Sequence, residues 1–323
     1  MLRKLMWLFF ACFLMTIVMV VVYFGFLLPK VDQAPSIKVS SEQQVLDRGA
    51  YLANNVMACF SCHGKRDWNQ FAGPEITEHR GGVGMLFDHE KGYPGVFYSS
   101  NITPFALKEW TDGEILRAIS SGVNKEGKTL FPIMPYQSYN HLSEDDLHAV
   151  VAYLRTLKEH SSESSTSKAD FPLNHIIKTI PRQPSFVEKP APKDVVAYGG
   201  YLVEAANCKQ CHTPQSGGEF SKDMAFAGGF KFKLTRGGTV FSANITPDKK
   251  TGIGQWTESY FLERFKQFAS NSGSVATVQP GAYNTEMPWT FYAGMTEEDL
   301  KAIYAFLMAQ KPIENSVLKF SKD

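Results

Sequence analysis

The chain has 323 residues, enough for about two domains of ordinary size. Its 33 Lys and Arg nearly balance 32 Asp and Glu, and a formal net charge of +1 excludes any global electrostatic case for nucleic-acid binding. With 44% hydrophobic and 20% charged residues, the composition suits folded domains plus one membrane segment.

That segment comes first. Leu5 to Leu28 (LMWLFFACFLMTIVMVVVYFGFLL) carries no charge and is long enough to cross a bilayer as a helix. Arg3 and Lys4 precede it, so the positive-inside rule leaves the N-terminus in the cytoplasm and the remainder outside. A cleaved signal peptide has a shorter apolar core, about 7–15 residues, and a small-residue cleavage site. Pro29-Lys30-Val31-Asp32-Gln33-Ala34 offers no such site, and residues 1–28 are read as a retained anchor. Cys12 lies inside this run. Phe9-Phe10-Ala11 is a poor approach to a lipidated Cys, which leaves it as a lipid-facing or packing thiol. A linker, 29–42, follows.

Ser41 to Asn54 predicts a helix that feeds Cys59-Phe60-Ser61-Cys62-His63, and a second such pentapeptide occurs at Cys208-Lys209-Gln210-Cys211-His212. Both read C-x-x-C-H, the attachment signature of a c-type haem. Thiols one helical turn apart can each add to a vinyl group on one porphyrin edge, and the adjoining His lies under the iron. Two such motifs imply two covalent haems and hence electron transfer. The motifs use four of the five cysteines, leaving none for a conventional disulfide framework. A thioredoxin-like pair needs a βαβ context that is not visible here, and a His directly after the second Cys does not match the usual zinc spacings. Covalent haem attachment takes place outside the bacterial cytoplasmic membrane, so anchor and motif agree.

Aligning the motifs brings the two halves into register. Gly49-Ala50-Tyr51-Leu52 matches Gly199-Gly200-Tyr201-Leu202, and Ser100-Asn101-Ile102-Thr103-Pro104 matches Ala243-Asn244-Ile245-Thr246-Pro247. Trp110-Thr111 matches Trp256-Thr257, and Met134-Pro135-Tyr136 matches Met287-Pro288-Trp289. This is one domain written twice, 43–159 and 194–312, with a C-terminal tail at 313–323. Between them, 160–193 is Ser- and Glu-rich, then Pro-rich, and reads as linker and crossover. The two Asn-Ile-Thr sequons are read as structural. Thr111 with Glu114 has capping-box form, and Ser143 with Asp146 and Thr296 with Asp299 repeat it before apolar stripes of helical period. The stretches Phe71–Ser100 and Pro214–Ala243 are Gly- and aromatic-rich loops with room for short strands. Local structure is mostly helical.

The sixth iron ligands follow from register. Met134 and Met287 occupy equivalent places, each before a Pro and an aromatic. Proline holds the preceding residue extended, so each thioether sits on a stiff loop. His/Met ligation raises the reduction potential and fills both axial positions, which suits electron transfer rather than substrate binding at iron. His79, His89, His141, His148, His160 and His175 have no counterpart in the other repeat and are read as surface or structural. Asn101 and Asn244, with their Thr partners, either donate to a haem propionate or hold the loop. Tyr136, Trp289, Trp110 and Trp256 are expected to wall the pockets.

With these residues quoted, the chain resembles the cytochrome c subunits of bacterial membrane-bound dehydrogenases for alcohols, gluconate, fructose and aldehydes. The marks are C-x-x-C-H, N-I-T-P, W-T, M-P-aromatic and a helix containing Ala152-Tyr153-Leu154 or Ala305-Phe306-Leu307, spread over about Gln43 to Lys311. The resemblance implies a mainly α fold of two tandem class I cytochrome c-like domains behind a transmembrane helix. It makes His63 and His212 proximal ligands, Met134 and Met287 distal ligands, and Cys59, Cys62, Cys208 and Cys211 the thioether residues. Those subunits often carry three haem domains where this chain has two, and the first repeat reads Ile-Thr-Pro-Phe where the second has the more familiar Ile-Thr-Pro-Asp.

The function implied is a dihaem relay of single electrons on the periplasmic face of the bacterial inner membrane. Its donor would be a dehydrogenase or respiratory complex, and its acceptor a quinone, oxidase or soluble cytochrome. No catalytic activity is expected of the chain alone. The alternative is a dihaem peroxidase or thiosulfate dehydrogenase. The first needs an openable iron, whereas both sites have an evident Met. Some of the second use a distal Cys, and the exported region has none to spare.

Overall fold

In the computed structural model, residues 1–82, 84–216, 219–269 and 275–322 are described. Val83, Gly217 and Gly218, within the two stretches expected as loops, lie outside them. Helices take up 39% of the residues and strands 9%, the rest being turns and irregular loops. The N-terminal helix spans Leu2–Phe26, and nothing in the protein covers its most apolar stretch.

Each half is built on a crossed pair of helices, Gln43–Tyr51 against Glu144–Leu154 and Val195–Ala205 against Glu297–Met308. Both crossings depend on a glycine. A Cβ on Gly49 would stand 1.9 Å from the Ala149 carbonyl oxygen, and one on Gly199 would stand 1.9 Å from that of Ala302. The first pair carries one irregularity. Cys59 lies ten positions after Gly49, but Cys208 only nine after Gly199. The extra residue is absorbed as a π turn over Leu52–Val56, closed by the Met57 amide donating to the Leu52 carbonyl at 2.8 Å. Such bulges are common at functional sites, and here one restores the motif's register.

The predicted caps form. Thr111 and Glu114 make a reciprocal capping box on the Asp112–Ser121 helix. The hydroxyls of Ser143 and Thr296 accept from the amides of Asp146 and Asp299. Those two aspartates do not complete a box of their own, because a tyrosine from the other half enters it. The Tyr201 hydroxyl accepts from the Ser143 amide at 3.2 Å and donates to Asp146 Oδ2 at 2.7 Å. The Tyr51 hydroxyl accepts from the Thr296 amide at 3.1 Å and donates to Asp299 Oδ2 at 2.5 Å. Tyr51 and Tyr201 are equivalent in the repeat, so the two bonds are exchanged reciprocally. Arg48 adds a fork to Asp146 (2.9 and 2.6 Å), and Tyr198 adds a hydroxyl to Asp299 (3.1 Å). One apolar cluster runs through both halves, with Leu52, Val56, Phe60, Leu147 and Val150 joined to Leu202, Met295 and Leu300.

Each half also carries a three-stranded antiparallel sheet. The first pairs Leu86–Phe87 with Gly95–Tyr98 (Phe87 opposite Phe97), and then pairs Gly95–Tyr98 with Lys168–Ala169 (Gly95 opposite Ala169). The second pairs Lys231–Lys233 with Thr239–Phe241 (Phe232 opposite Val240), and then Phe320–Ser321 (Phe320 opposite Val240). The third strand comes in both cases from chain beyond the last helix, in the stretches read as linker and tail. Those stretches are fixed by backbone pairing, so each half reaches past Glu159 and Pro312.

Removing a hydroxyl that serves a charged carboxylate costs about 1.5–3 kcal/mol, so Tyr51→Phe and Tyr201→Phe should each lower unfolding free energy by that amount in denaturant titrations. Burial pushes the Asp146 carboxyl up, but the Arg48 guanidinium and the Tyr201 hydroxyl outweigh it and hold the group below its usual range. Its contribution is therefore full above the unfolded value, roughly 3.9, and is lost as pH falls through the lower folded value. Asp146→Asn should abolish that component of the acid transition.

Candidate functional site

Both C-x-x-C-H motifs begin from a left-handed residue, Ala58 (φ 46°) and Asn207 (φ 54°). This turns the chain sharply out of the preceding helix and starts a new short turn, Cys59–Ser61 or Cys208–Cys211. The amides of His63 and His212 each donate to the carbonyl of the first Cys at 2.9 Å. The two thiols of each motif therefore sit on one face of a single turn with the imidazole beside them.

The imidazoles are held identically. His63 Nδ1 lies 2.7 Å from the Ser100 carbonyl oxygen, and His212 Nδ1 lies 2.7 Å from that of Ala243. A carbonyl only accepts, so each Nδ1 carries the proton and each Nε2 keeps its lone pair. Burial pulls both imidazoles below their ordinary value, with the carbonyl opposing, and they stay neutral, as a metal ligand must be. Such an N–H to carbonyl bond is the usual support of a ligating His.

Ser100 and Ala243 are themselves positioned by the next residue. Asn101 donates to the His160 and Ser162 carbonyls, both at 2.8 Å, and its Oδ1 accepts from the Thr103 amide (2.9 Å) and hydroxyl (2.7 Å). Asn244 donates to the Ile313 carbonyl at 2.8 Å and accepts from the Thr246 amide (2.9 Å) and hydroxyl (2.7 Å). Of the two roles open from sequence, the Asn–Thr pairs hold the loop. They also tie down the chain beyond the last helix of each half.

The eight expected site residues Cys59, Cys62, His63, Met134, Cys208, Cys211, His212 and Met287 all line one continuous cavity of about 2320 Å³ between and within the halves. Small-ligand sites are typically about 300–1,000 Å³, so this space exceeds what one ordinary small ligand fills. Met134 and Met287 lie on their expected loops. Each is followed by a Pro that caps a one-turn helix, Tyr136–Tyr139 or Trp289–Tyr292. Burial pushes the thiols of Cys59, Cys208 and Cys211 up to about 12, and that of Cys62 also upward, so they are protonated and uncharged in the cavity wall. Among the described residues no three His, Cys, Asp or Glu side chains converge as a protein-only metal site requires. Paired thiols, a neutral imidazole and a thioether against apolar walls fit a covalently attached porphyrin instead.

Trp110, Trp256 and Trp289 line the cavity as expected. Tyr136 does not. It is buried beneath Gly122, where the missing Cβ leaves room for its ring; a Cβ there would stand 2.5 Å from it. The run Ser162–Ser167, read from sequence as linker, forms part of the cavity wall. Sequence reasoning also passed over a charged pair where the halves meet. Arg66 is buried, donates to the Gly73 (2.7 Å) and Ala72 (2.5 Å) carbonyls, stacks on Trp68, and stands 3.8 Å from Glu286. Burial raises the Glu286 carboxyl, opposed by Arg66 and Lys91. The halves also lean on each other's loops. The Met134 loop accepts from Gln210 of the second motif at the Pro132 carbonyl, and Ser138 donates to Asn207 at 3.0 Å.

Residues 196–311 match the family model described as Cytochrome c. The second half carries a cytochrome c domain. A cytochrome c domain binds haem c covalently, so the implied cofactor agrees with the thiol pair at Cys208 and Cys211. Across both halves the chain is 26% identical over 298 residues to the cytochrome c subunit of a quinone-dependent alcohol dehydrogenase from Gluconacetobacter polyoxogenes, covering 88% of this chain and 59% of that one. It is 26% identical over 300 residues to the gluconate 2-dehydrogenase cytochrome c subunit of Pantoea cypripedii, covering 86% and 62%. It is 28% identical over 267 residues to a diheme cytochrome c-type protein of Cereibacter sphaeroides, covering 79% and 83%. The resemblance read from the motifs is borne out, and the chain spans about six-tenths of the dehydrogenase subunits it matches.

Replacing Asn101 or Asn244 by Ala strands buried backbone and hydroxyl groups at about 1–3 kcal/mol each. Both variants should unfold at lower denaturant than the parent, followed by circular dichroism, with the loss confined to the altered half's site in haem absorbance.

Proposed function

We propose that the chain is a membrane-anchored dihaem c-type cytochrome: two tandem class I cytochrome c domains, 43–159 and 194–312, each extended by the chain that follows it, behind the helix at 1–28. The observation that carries this reading is the duplication of the whole site. Each half presents thiols at i and i+3, an imidazole fixed by a backbone carbonyl, and a methionine on a proline-stiffened loop, all facing one cavity.

Haem iron, when bound, supplies one-electron chemistry at each site. The chain's own residues do the rest. Cys59, Cys62, Cys208 and Cys211 hold the porphyrin edge. His63 and His212 offer Nε2 to iron, held in place through Nδ1. Met134 and Met287 would offer their thioethers to the iron from the same cavity and so keep no position for a substrate, which favours electron transfer over catalysis at iron. The tryptophans would exclude water from the sites, and the Ser162–Ser167 run forms an outer part of the wall. Because the two motifs open on one cavity, an electron can pass between the sites without leaving the protein.

By analogy with the relatives, the donor is a dehydrogenase subunit, or else a respiratory complex. The acceptor is a quinone, an oxidase or a soluble cytochrome. The exported domains then lie in the periplasm on the bacterial inner membrane. Neither the chain's charge nor its surface calls for nucleic acid.

The mature protein should carry two covalently added haems by intact mass. Cys62→Ser or Cys211→Ser should reduce that to one, and a single haem in the parent protein would overturn the reading. Met134→Ala and Met287→Ala should retain both haems. Each should lower one of two midpoint potentials in a spectroelectrochemical titration and admit a small ligand such as imidazole at the altered site. Unchanged titrations in both variants would remove the axial assignment.

A further inference from the structure

The crossover between the halves returns to the base of the N-terminal helix. Lys178 Nζ donates to the Phe24 carbonyl at 3.0 Å, in the last turn of that helix. Just beyond it, Asp32 and Gln183 exchange two hydrogen bonds, at 3.0 and 2.9 Å. The rings of Phe24 and His175 meet edge-on at 6.2 Å, and those of His175 and Phe171 do the same at 6.2 Å. A run of aromatic rings thus leads from the end of the helix to the protein surface, where it stops at Phe171, 83% exposed.

Depth follows from length. The helix has 25 residues, about 37 Å at roughly 1.5 Å per residue, against a hydrocarbon core of about 30 Å. Its last turn therefore emerges among the headgroups, and whatever touches Phe24 lies at that level. The short helix Leu173–Ile176 is two-faced there. Leu173 and the following Ile177 turn inward and line the cavity on its first-half side, while Phe171, Asn174 and His175 face outward. Lys30 and Arg182 adjoin the bonded pair, two residues before Asp32 and one before Gln183, and Lys30 Nζ lies 5.9 Å over the Tyr23 ring of the N-terminal helix. Both are exposed, and among the described residues neither makes an ion pair.

We propose that Phe171–Arg182 is a second membrane contact, with Phe171 inserted at the headgroup–acyl boundary and Lys30 and Arg182 set against anionic lipid headgroups. This is the arrangement of an interfacial segment, an apolar wedge beside basic side chains. It presses the Leu173–Ile177 wall of the cavity against the bilayer and fixes which half lies nearer the membrane. The inference rests on the reading of Leu2–Phe26 as a retained span.

The test uses the full-length holoprotein in a Cys12→Ser background, kept in one oxidised state throughout, so that relaxation by ferric iron is the same with and without each collider and is subtracted. It is reconstituted in phosphatidylcholine vesicles with and without phosphatidylglycerol. Nitroxides at Val18→Cys (span), Phe171→Cys and Asn174→Cys (proposed contact) and Lys249→Cys (water control) are compared by their collision rates with oxygen and with a water-soluble nickel chelate. Retained haem absorbance confirms that each variant is folded. The expected result is an oxygen-to-nickel ratio several-fold higher at Phe171→Cys than at Lys249→Cys, approaching that of Val18→Cys, with Asn174→Cys intermediate and the Phe171→Cys ratio falling when phosphatidylglycerol is omitted. If Val18→Cys reads as immersed while Phe171→Cys and Asn174→Cys match Lys249→Cys, the contact is refuted and the anchor stands. If Val18→Cys also matches the water control, the anchor reading fails and the contact fails with it. If omission of phosphatidylglycerol changes nothing, the role of Lys30 and Arg182 is overturned.

Discussion

Two tyrosines inserted into foreign capping boxes hold this molecule in one piece. A helix N-terminus leaves amides that need acceptors, and an acidic residue at its third position normally reaches back to supply one. At Ser143 and Thr296 the hydroxyl of Tyr201 or Tyr51 stands in that gap, accepting from the cap amide and donating to Asp146 or Asp299. The same atoms therefore finish a helix and join the halves. Neither half caps its last helix fully without the other. The placement of each haem motif depends on that last helix, through the glycine crossings at Gly49 and Gly199.

From this frame the site is assembled in layers. The crossed helices deliver the motif turns through left-handed Ala58 and Asn207. The loop beginning at Ser100 or Ala243 brings one carbonyl to the imidazole, and the following Asn clamps that loop to chain arriving from beyond the last helix. Imidazole orientation thus rests on a support one step removed from the ring, and its Asn–Thr bonds repeat in both halves while the second donor contact of the Asn differs, a carbonyl at Ser162 for Asn101 and the Thr251 hydroxyl for Asn244. Where the halves differ, the difference is local. A one-residue excess before Cys59 becomes a π turn, and the buried Arg66 reaches Glu286 with no equivalent pair from the second half among the described residues.

Much of this was legible from residues alone, for identifiable reasons. The motifs are contiguous, the caps span four residues, and the methionines are flagged by a following proline, so local chemistry determines each of them. Duplication did the rest, since register separates Met134 and Met287 from the other methionines. What stayed hidden depends on distant partners. Tyr51 and Asp299 are 248 positions apart. The sheet strands are two to four residues long and are completed by a Ser-rich run and a tail with no period of their own. Tyr136 looked like a pocket wall because its partner in the repeat is a tryptophan, but Gly122 offered its ring a closer place. The loop-holding role of Asn101 and Asn244 was one of the two roles read from sequence, but their partners beyond the last helix were not, because those lie about 60 to 70 positions away.

The reciprocity of the tyrosine bonds has a further meaning. A surface that gives and receives the same contact about a pseudo-two-fold axis is self-complementary, the hallmark of a symmetric homodimer. In this chain the two copies are tethered by the crossover, so their pairing is intramolecular and escapes mass action. The ratio of the two C-x-x-C-H sites is thereby set at synthesis, and it holds at any dilution, where separate subunits would come apart.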